Sequence, residues 1–333
     1  MRGLGFSAVA VLRHRLVQTA LGLAVGIVLL WLAFARTDIA GLGRRLGQVQ
    51  VTWLLLAIAC YWAALAIRSW RWRIILSPLR RLPFLQVYHC LIVGYAANNV
   101  LPARLGELLR ADYLGRRSGI SRLSVIGTIV VELLFDVIVF VGFILAGIAA
   151  LHGRPDSRIA PILHVVEVVG AGCVLLALML FVLLRVRHKR LPAAISFLEH
   201  RLRSLTDGLH LITGLEEVGM LAAATAVVWT ADSCSTWLLC RALGANLGFM
   251  ELLLVMGMSC LAALIPAAPA NIGSIQYALV LAFQLIGYDA DVGFGLALLI
   301  QGCFVGSSTL AGGCLYLTSA LSGAARRPSS RSS

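Results

Sequence analysis

The densest polar stretch in this chain reads Asn98-Asn99-Val100-Leu101-Pro102-Ala103-Arg104-Leu105-Gly106-Glu107-Leu108-Leu109-Arg110, and it interrupts an otherwise apolar run. In helical geometry Arg104, Glu107 and Arg110 recur every third residue and share one face. Two guanidinium groups around one carboxylate leave a net positive site, and a guanidinium offers paired donors that match phosphate oxygens. A helix restarting after the break at Pro102, with Gly106 in its first turn, adds backbone N–H groups aimed at the same anion. The chemistry suggested is capture of an anionic headgroup, with Asn99 as a further hydrogen-bonding group. A charge at bilayer depth costs at least about 2.5–3.5 kcal/mol, so these side chains must face a cavity, one another or the interface. The plainer alternative is a loop at the membrane rim, where arginine snorkels cheaply.

Glu132 and Asp136 lie four residues apart in the next apolar segment and point to one side of a helix. Arg104 or Arg110 are their most economical partners, giving a charge-balanced internal cluster; a proton relay is the sharper alternative. Arg68, Arg71, Trp72 and Arg73 follow the second apolar segment and fit headgroup-level anchoring. Arg71 and Arg73 are also candidates for phosphate capture at a cavity entrance. A second break reads Pro266-Ala267-Ala268-Pro269-Ala270-Asn271-Ile272-Gly273-Ser274-Ile275-Gln276. There Asn271, Ser274 and Gln276 can bond either the freed backbone groups or a ligand. Asp232 stands as a lone acid within another apolar segment.

The elements that must position these residues are helices in lipid. Of 333 residues, 60% are hydrophobic and 13% charged, well beyond a soluble domain. A spanning helix needs about 20 mostly apolar residues. Segments 17–35, 51–67, 123–150, 161–184, 218–240 and 294–319 meet that need, and the first is too long for a cleaved signal core. Residues 84–115 and 250–287 instead read as helix, break, helix. The expected fold is an all-α polytopic membrane protein of about six to eight spans plus one or two broken or re-entrant hairpins. One domain covers 1–325, and 326–333 form a disordered tail. Residues 185–217 read as an amphipathic surface helix or as a polar connector.

The net charge of +13 does not point to nucleic acid, because the basic residues lie between apolar segments rather than on one compact face. They serve as topology signals. With both termini cytoplasmic, 20 of the 28 basic residues fall on the inner side; Arg36, Arg44 and Arg45 in the first outer loop run against the trend. That placement makes the two broken regions enter from opposite faces, the pattern of inverted repeats whose interrupted helices meet around a substrate. Eight cysteines without CxxC spacing imply no metal site and no disulfide framework. No Walker loop, dinucleotide fingerprint, HExxH or GxSxG is present, so no cofactor is expected.

On Arg68 through Arg73, Asn99 through Arg110, Glu132 with Asp136, and Pro266 through Gln276, most of the chain resembles the lysylphosphatidylglycerol synthase transmembrane-region family. It differs from the pattern expected of many members at Glu132-Leu133, at Pro269-Ala270-Asn271 and at Gln276. The resemblance implies a flippase-like membrane domain without the appended aminoacyltransferase, in a bacterial inner membrane. Its implied partners are lipids with a phosphate or other polar headgroup, with a lipid-biosynthesis enzyme as a possible protein partner. Moving a lipid or lipid-linked precursor between leaflets is the first function expected. A membrane-embedded transferase and a non-catalytic accessory subunit are the alternatives.

Overall fold

The computed structural model describes residues 20–101, 105–150, 215–264 and 268–325, with isolated positions at 164, 168 and 172. Most of the expected 161–184 span and 185–217 segment, the tail, and the break residues Pro102, Arg104 and Pro266 lie outside that set. All secondary structure among the described residues is helical.

Helix α1 (Ala20–Phe34) ends in a sharp bend, and α2 (Ile39–Gly47) runs 86° away from it. Asp38 caps α2 by accepting from the Ala40 and Gly41 N–H groups, both at 3.0 Å. Helix α3 (Val51–Leu76) has 26 residues, about 39 Å at 1.5 Å per residue. It continues past residue 67, where the sequence placed its end. The Arg68–Arg73 stretch is therefore the last turns of a spanning helix, not a headgroup-level loop. Apolarity alone ends the segment too early because Arg68 and Arg71 are neutralised inside the protein.

Helices α4 (Phe84–Val100) and α5 (Leu105–Ser118) have 17 and 14 residues, both short of a full crossing. They form an antiparallel hairpin. Gly94 lies against the Arg110 side chain, and a Cβ there would sit 2.8 Å from Arg110 Cβ. Gly106 lies against Asn98 and the Gly94 carbonyl, 2.5 Å from where a Cβ would stand. The open end of the hairpin is tied by the Arg80 guanidinium, which donates to the Ser118 carbonyl. Helices α6 (Arg122–Ala150) and α7 (Leu215–Ala242) follow, with α7 packed along α3.

Helices α8 (Phe249–Leu264) and α9 (Ser274–Leu285) form the second hairpin, with 16 and 12 residues. Its open end is tied by Tyr288 Oη donating to the Asn246 carbonyl at 3.0 Å. That end neighbours the start of α3, because the Gln50 N–H donates to the Ala242 carbonyl just before α8. The first hairpin opens near the end of α3. The two hairpins therefore open at opposite ends of one spanning helix. Their closed ends meet, since the 3-10 turn Pro269–Asn271 lies against α4. Last come α10 (Ala290–Leu299), a π-helical segment Ile300–Gly306 and α11 (Ser307–Ala325), continuous as one span over Ala290–Ser319.

Gly273, which opens α9, has φ of 90°, and a Cβ there would overlap the Gly26 carbonyl of α1. Only glycine meets both demands. Gly273→Ala is expected to cost at least about 1–2 kcal/mol from the positive φ alone, read as a lower melting temperature of the purified protein in detergent. Gly43→Ala, at a helical position with nothing within 4 Å, should be neutral or gain about 0.5–1 kcal/mol.

Candidate functional site

Helices α3, α5, α6 and α7 converge on a buried ionic cluster. Arg71 is fully buried, at 0% exposure, and holds Asp136 in a paired contact, Nη1 to Oδ1 at 2.6 Å and Nη2 to Oδ2 at 3.1 Å. The same Nη2 donates to Glu132 Oε1 at 2.9 Å, and Nη1 donates to Thr225 Oγ1 at 3.1 Å. Arg110, from the first hairpin, donates to the other oxygen of Glu132 at 2.7 Å. Its guanidinium lies 3.6 Å from the Trp72 ring centroid, close enough for a desolvated cation–π contact. Arg68 pairs with Asp232 and lies 3.9 Å from Asp136. Trp229 Nε1 donates to Asp136 at 3.0 Å.

Among the described residues the cluster thus joins three arginines to three carboxylates, with no net charge. Glu132 lies ten residues into α6, about 15 Å along its axis, which places it near the middle of roughly 30 Å of hydrocarbon. At that depth an isolated ion is costly, and every charge here has a partner. Three side-chain atoms beside it, Arg71 Nε, Arg110 Nε and Asn98 Oδ1, are buried without a hydrogen-bond partner.

The expected residues separate into groups. Arg71, Arg110, Glu132 and Asp136 come together: Arg110 is a partner of the carboxylates as expected, Arg71 is a further one, and Arg104 lies outside the described residues. Arg71 is no entrance residue, since it has no exposed surface; Arg73, two positions on, is exposed. Glu107 is half-buried on α5. Asn99 sits elsewhere: its Nδ2 reaches Thr309 Oγ1 at 2.9 Å and Ser308 Oγ at 3.3 Å, fastening the first hairpin to α11. At the second break Ser274 Oγ donates to the Asn271 carbonyl at 3.0 Å, and Gln276 Oε1 accepts from the Gly273 N–H at 2.7 Å. These side chains satisfy the backbone around their own turn, where Ala270 and Asn271 have φ of 56° and 53°. Gln276 Nε2 also donates to Gln301, in the π-helical segment, at 2.7 Å.

Asp232 is not a lone acid, and Arg68, Thr225 and Trp229 are members the sequence reading missed. The signal was present as spacing. Arg68 and Arg71 are three apart, and Thr225, Trp229 and Asp232 fall at i, i+4 and i+7, so each set shares one helix face.

The sequence matches the lysylphosphatidylglycerol synthase TM region over residues 19–312, and the chain belongs to that family. It is also similar to UPF0104 membrane protein PH1989 of Pyrococcus horikoshii, at 25% identity over 323 residues, covering 89% of this chain and 95% of the relative. No solved structure matches it. Family and candidate spans together make it a multi-pass membrane protein.

Removing one member of a buried pair strands the other, at about 3–5 kcal/mol, whereas removing both restores neutrality. Arg68→Leu and Asp232→Leu are each expected to lower the melting temperature sharply. The double substitution should melt closer to the parent than either single one; a fully additive loss in a thermal-melt cycle would show that the two residues are not energetically coupled.

Proposed function

We propose that this member of the lysylphosphatidylglycerol synthase TM region family is a lipid translocase, moving an anionic or polar lipid or lipid-linked precursor between leaflets. The observation that carries this reading is the placement of the neutral ionic cluster beside the meeting point of two hairpins of short helices that open at opposite ends of α3. A polar headgroup crossing a bilayer needs substitutes for its hydration at mid-depth, while its acyl chains stay in lipid. Broken helices around such a point are the arrangement by which transporters present polar groups at the midplane.

One contact is suited to exchange. Glu132 is shared between Arg71 and Arg110. A phosphate oxygen that displaced it from Arg110 would leave Glu132 still paired with Arg71, so neither ion is stranded. Arg110 is carried by the first hairpin, whose helices are shorter than the spans around it. Asn98 Oδ1, unpartnered against Gly106 one turn before Arg110 on α5, offers an acceptor to a headgroup hydroxyl or amine. Glu132, Asp136 and Asp232 are each held by an arginine, which favours a transporter over a transferase using one of them as a base.

In this reading the open end of the first hairpin faces the cytoplasm of a bacterial cell with an inner membrane. Arg80, Arg81, Arg116, Arg117 and Arg122 gather at that end, as the bias of cytoplasmic loops requires.

Reconstituted into proteoliposomes, the purified protein is expected to expose fluorescently labelled phosphatidylglycerol to external dithionite faster than empty vesicles do. Arg110→Lys keeps the charge but loses the paired donors, and should slow that exposure about tenfold or more, with little change in melting temperature. Arg116→Gln, at an exposed position, should leave it unchanged. Folded protein that moves no labelled lipid would overturn the proposal.

A further inference from the structure

A second polar site lies at the other end of the molecule. Between α2 and the turn joining α9 to α10 is a cleft of about 700 Å³, lined among others by Arg36, Arg44, Arg45, Asp289 and Asp291. Helix α1 bends by 86° into α2 beside it, and the candidate span Ala290–Ser319 starts at it. The cleft therefore lies at one end of the span Ala290–Ser319, on the side where the second hairpin opens.

The charges in the cleft are not all spent on one another. Asp38 is committed to capping α2. Arg45 bridges two acids, Nε to Asp291 Oδ2 at 2.7 Å and Nη2 to Asp289 Oδ2 at 3.1 Å. Gly41 makes room for that bridge, since a Cβ there would stand 2.9 Å from Asp291 Oδ2. Arg44 reaches Asp38 only at 3.8 Å and is 74% exposed, a contact of little energetic weight. Arg36 lies 5.6 Å from the Tyr277 ring centroid. On the acidic side, the Asp291 side chain is 7% exposed, and its Oδ1 is buried without a hydrogen-bond partner. The cleft thus has guanidinium donors on one side and, in the opposite wall, a carboxylate whose Oδ1 is buried without a hydrogen-bond partner.

We propose that this cleft binds a zwitterionic phospholipid headgroup carrying both a phosphate and a protonated amine, of the phosphoethanolamine type. Arg36 and Arg44 take the phosphate, and Asp291 Oδ1 takes the ammonium. A purely anionic headgroup would satisfy the arginines and leave Asp291 Oδ1 without a hydrogen-bond partner, so discrimination arises from the amine.

The test is calorimetric titration of the purified full-length protein in detergent with dihexanoyl phosphatidylethanolamine, dihexanoyl phosphatidylglycerol and free phosphoethanolamine. The ethanolamine lipid is expected to bind at least about tenfold tighter than the other two. Asp291→Asn should remove that preference. Because Asp291 also anchors Arg45, the exposed pair Arg36→Gln with Arg44→Gln serves as the second variant, and should weaken both lipids about tenfold with an unchanged melting temperature. Equal affinity for the two lipids would overturn the role of the amine, and equal affinity for free phosphoethanolamine would overturn a lipid source. Indifference to both variants would overturn the site. Binding is read without any flux, so a protein that binds here yet moves no lipid overturns the translocase reading alone.

Discussion

The organising constraint is charge neutrality inside a low-dielectric body. Arg68, Arg71 and Arg110 come from two helices that are distant in sequence, and Glu132, Asp136 and Asp232 come from two others. Hydrocarbon tolerates none of these ions singly. Once Arg71 is fixed between Glu132 and Asp136, the axial positions of α3 and α6 are set relative to each other. Arg68 on Asp232 sets α7, and Arg110 on Glu132 sets the first hairpin. Buried ion pairs are weak sources of net stability, but they penalise every misregistered alternative. Apolar helices in lipid, with no hydrophobic effect to align them, have the most to gain from such a penalty.

Close backbone approach supplies the second constraint. Gly94 and Gly106 let α4 and α5 approach until Arg110 packs across the hairpin. Gly147 meets Leu254 and Gly257 meets Ile144, bringing α6 onto α8 in the same way. Dispersion between closely packed surfaces replaces the missing solvent-driven term. The hairpins are thus held by small residues along their length, by single hydrogen bonds at their open ends, and by polar contacts from Arg110, Asn99 and Gln276 to neighbouring spans.

Much of this was legible in the sequence, for physical reasons. Apolar length announces spans, and prolines with small residues announce breaks, so the two hairpins and the spans 51–67, 123–150, 218–240 and 294–319 were readable, although α3 runs on to Leu76. Local spacing placed Glu132 beside Asp136. Partner choice was not legible, because it depends on which helices pack together: α3 against α7 brings Asp232 to Arg68, and no local pattern encodes that meeting. The same blindness turned Arg68 and Arg71 into topology signals, although they belong to the core. Of the first-loop arginines that ran against the topology, Arg45 is explained likewise, since it is matched by Asp289 and Asp291 from about 245 residues further along the chain.

The two polar sites share one device. In the centre a single carboxylate, Glu132, serves two arginines; in the outer cleft a single guanidinium, Arg45, serves two carboxylates. A one-to-one buried pair resists opening, because breaking it strands an ion on each side. A shared ion behaves differently: when one partner leaves, the ion keeps the other, and only the departing group must find a substitute. A lipid headgroup with phosphate and amine functions supplies either kind of substitute. Under the proposed function the arrangement would reconcile two demands that ordinarily conflict, a core neutral enough to exist in a membrane and contacts loose enough to be exchanged for those of a ligand.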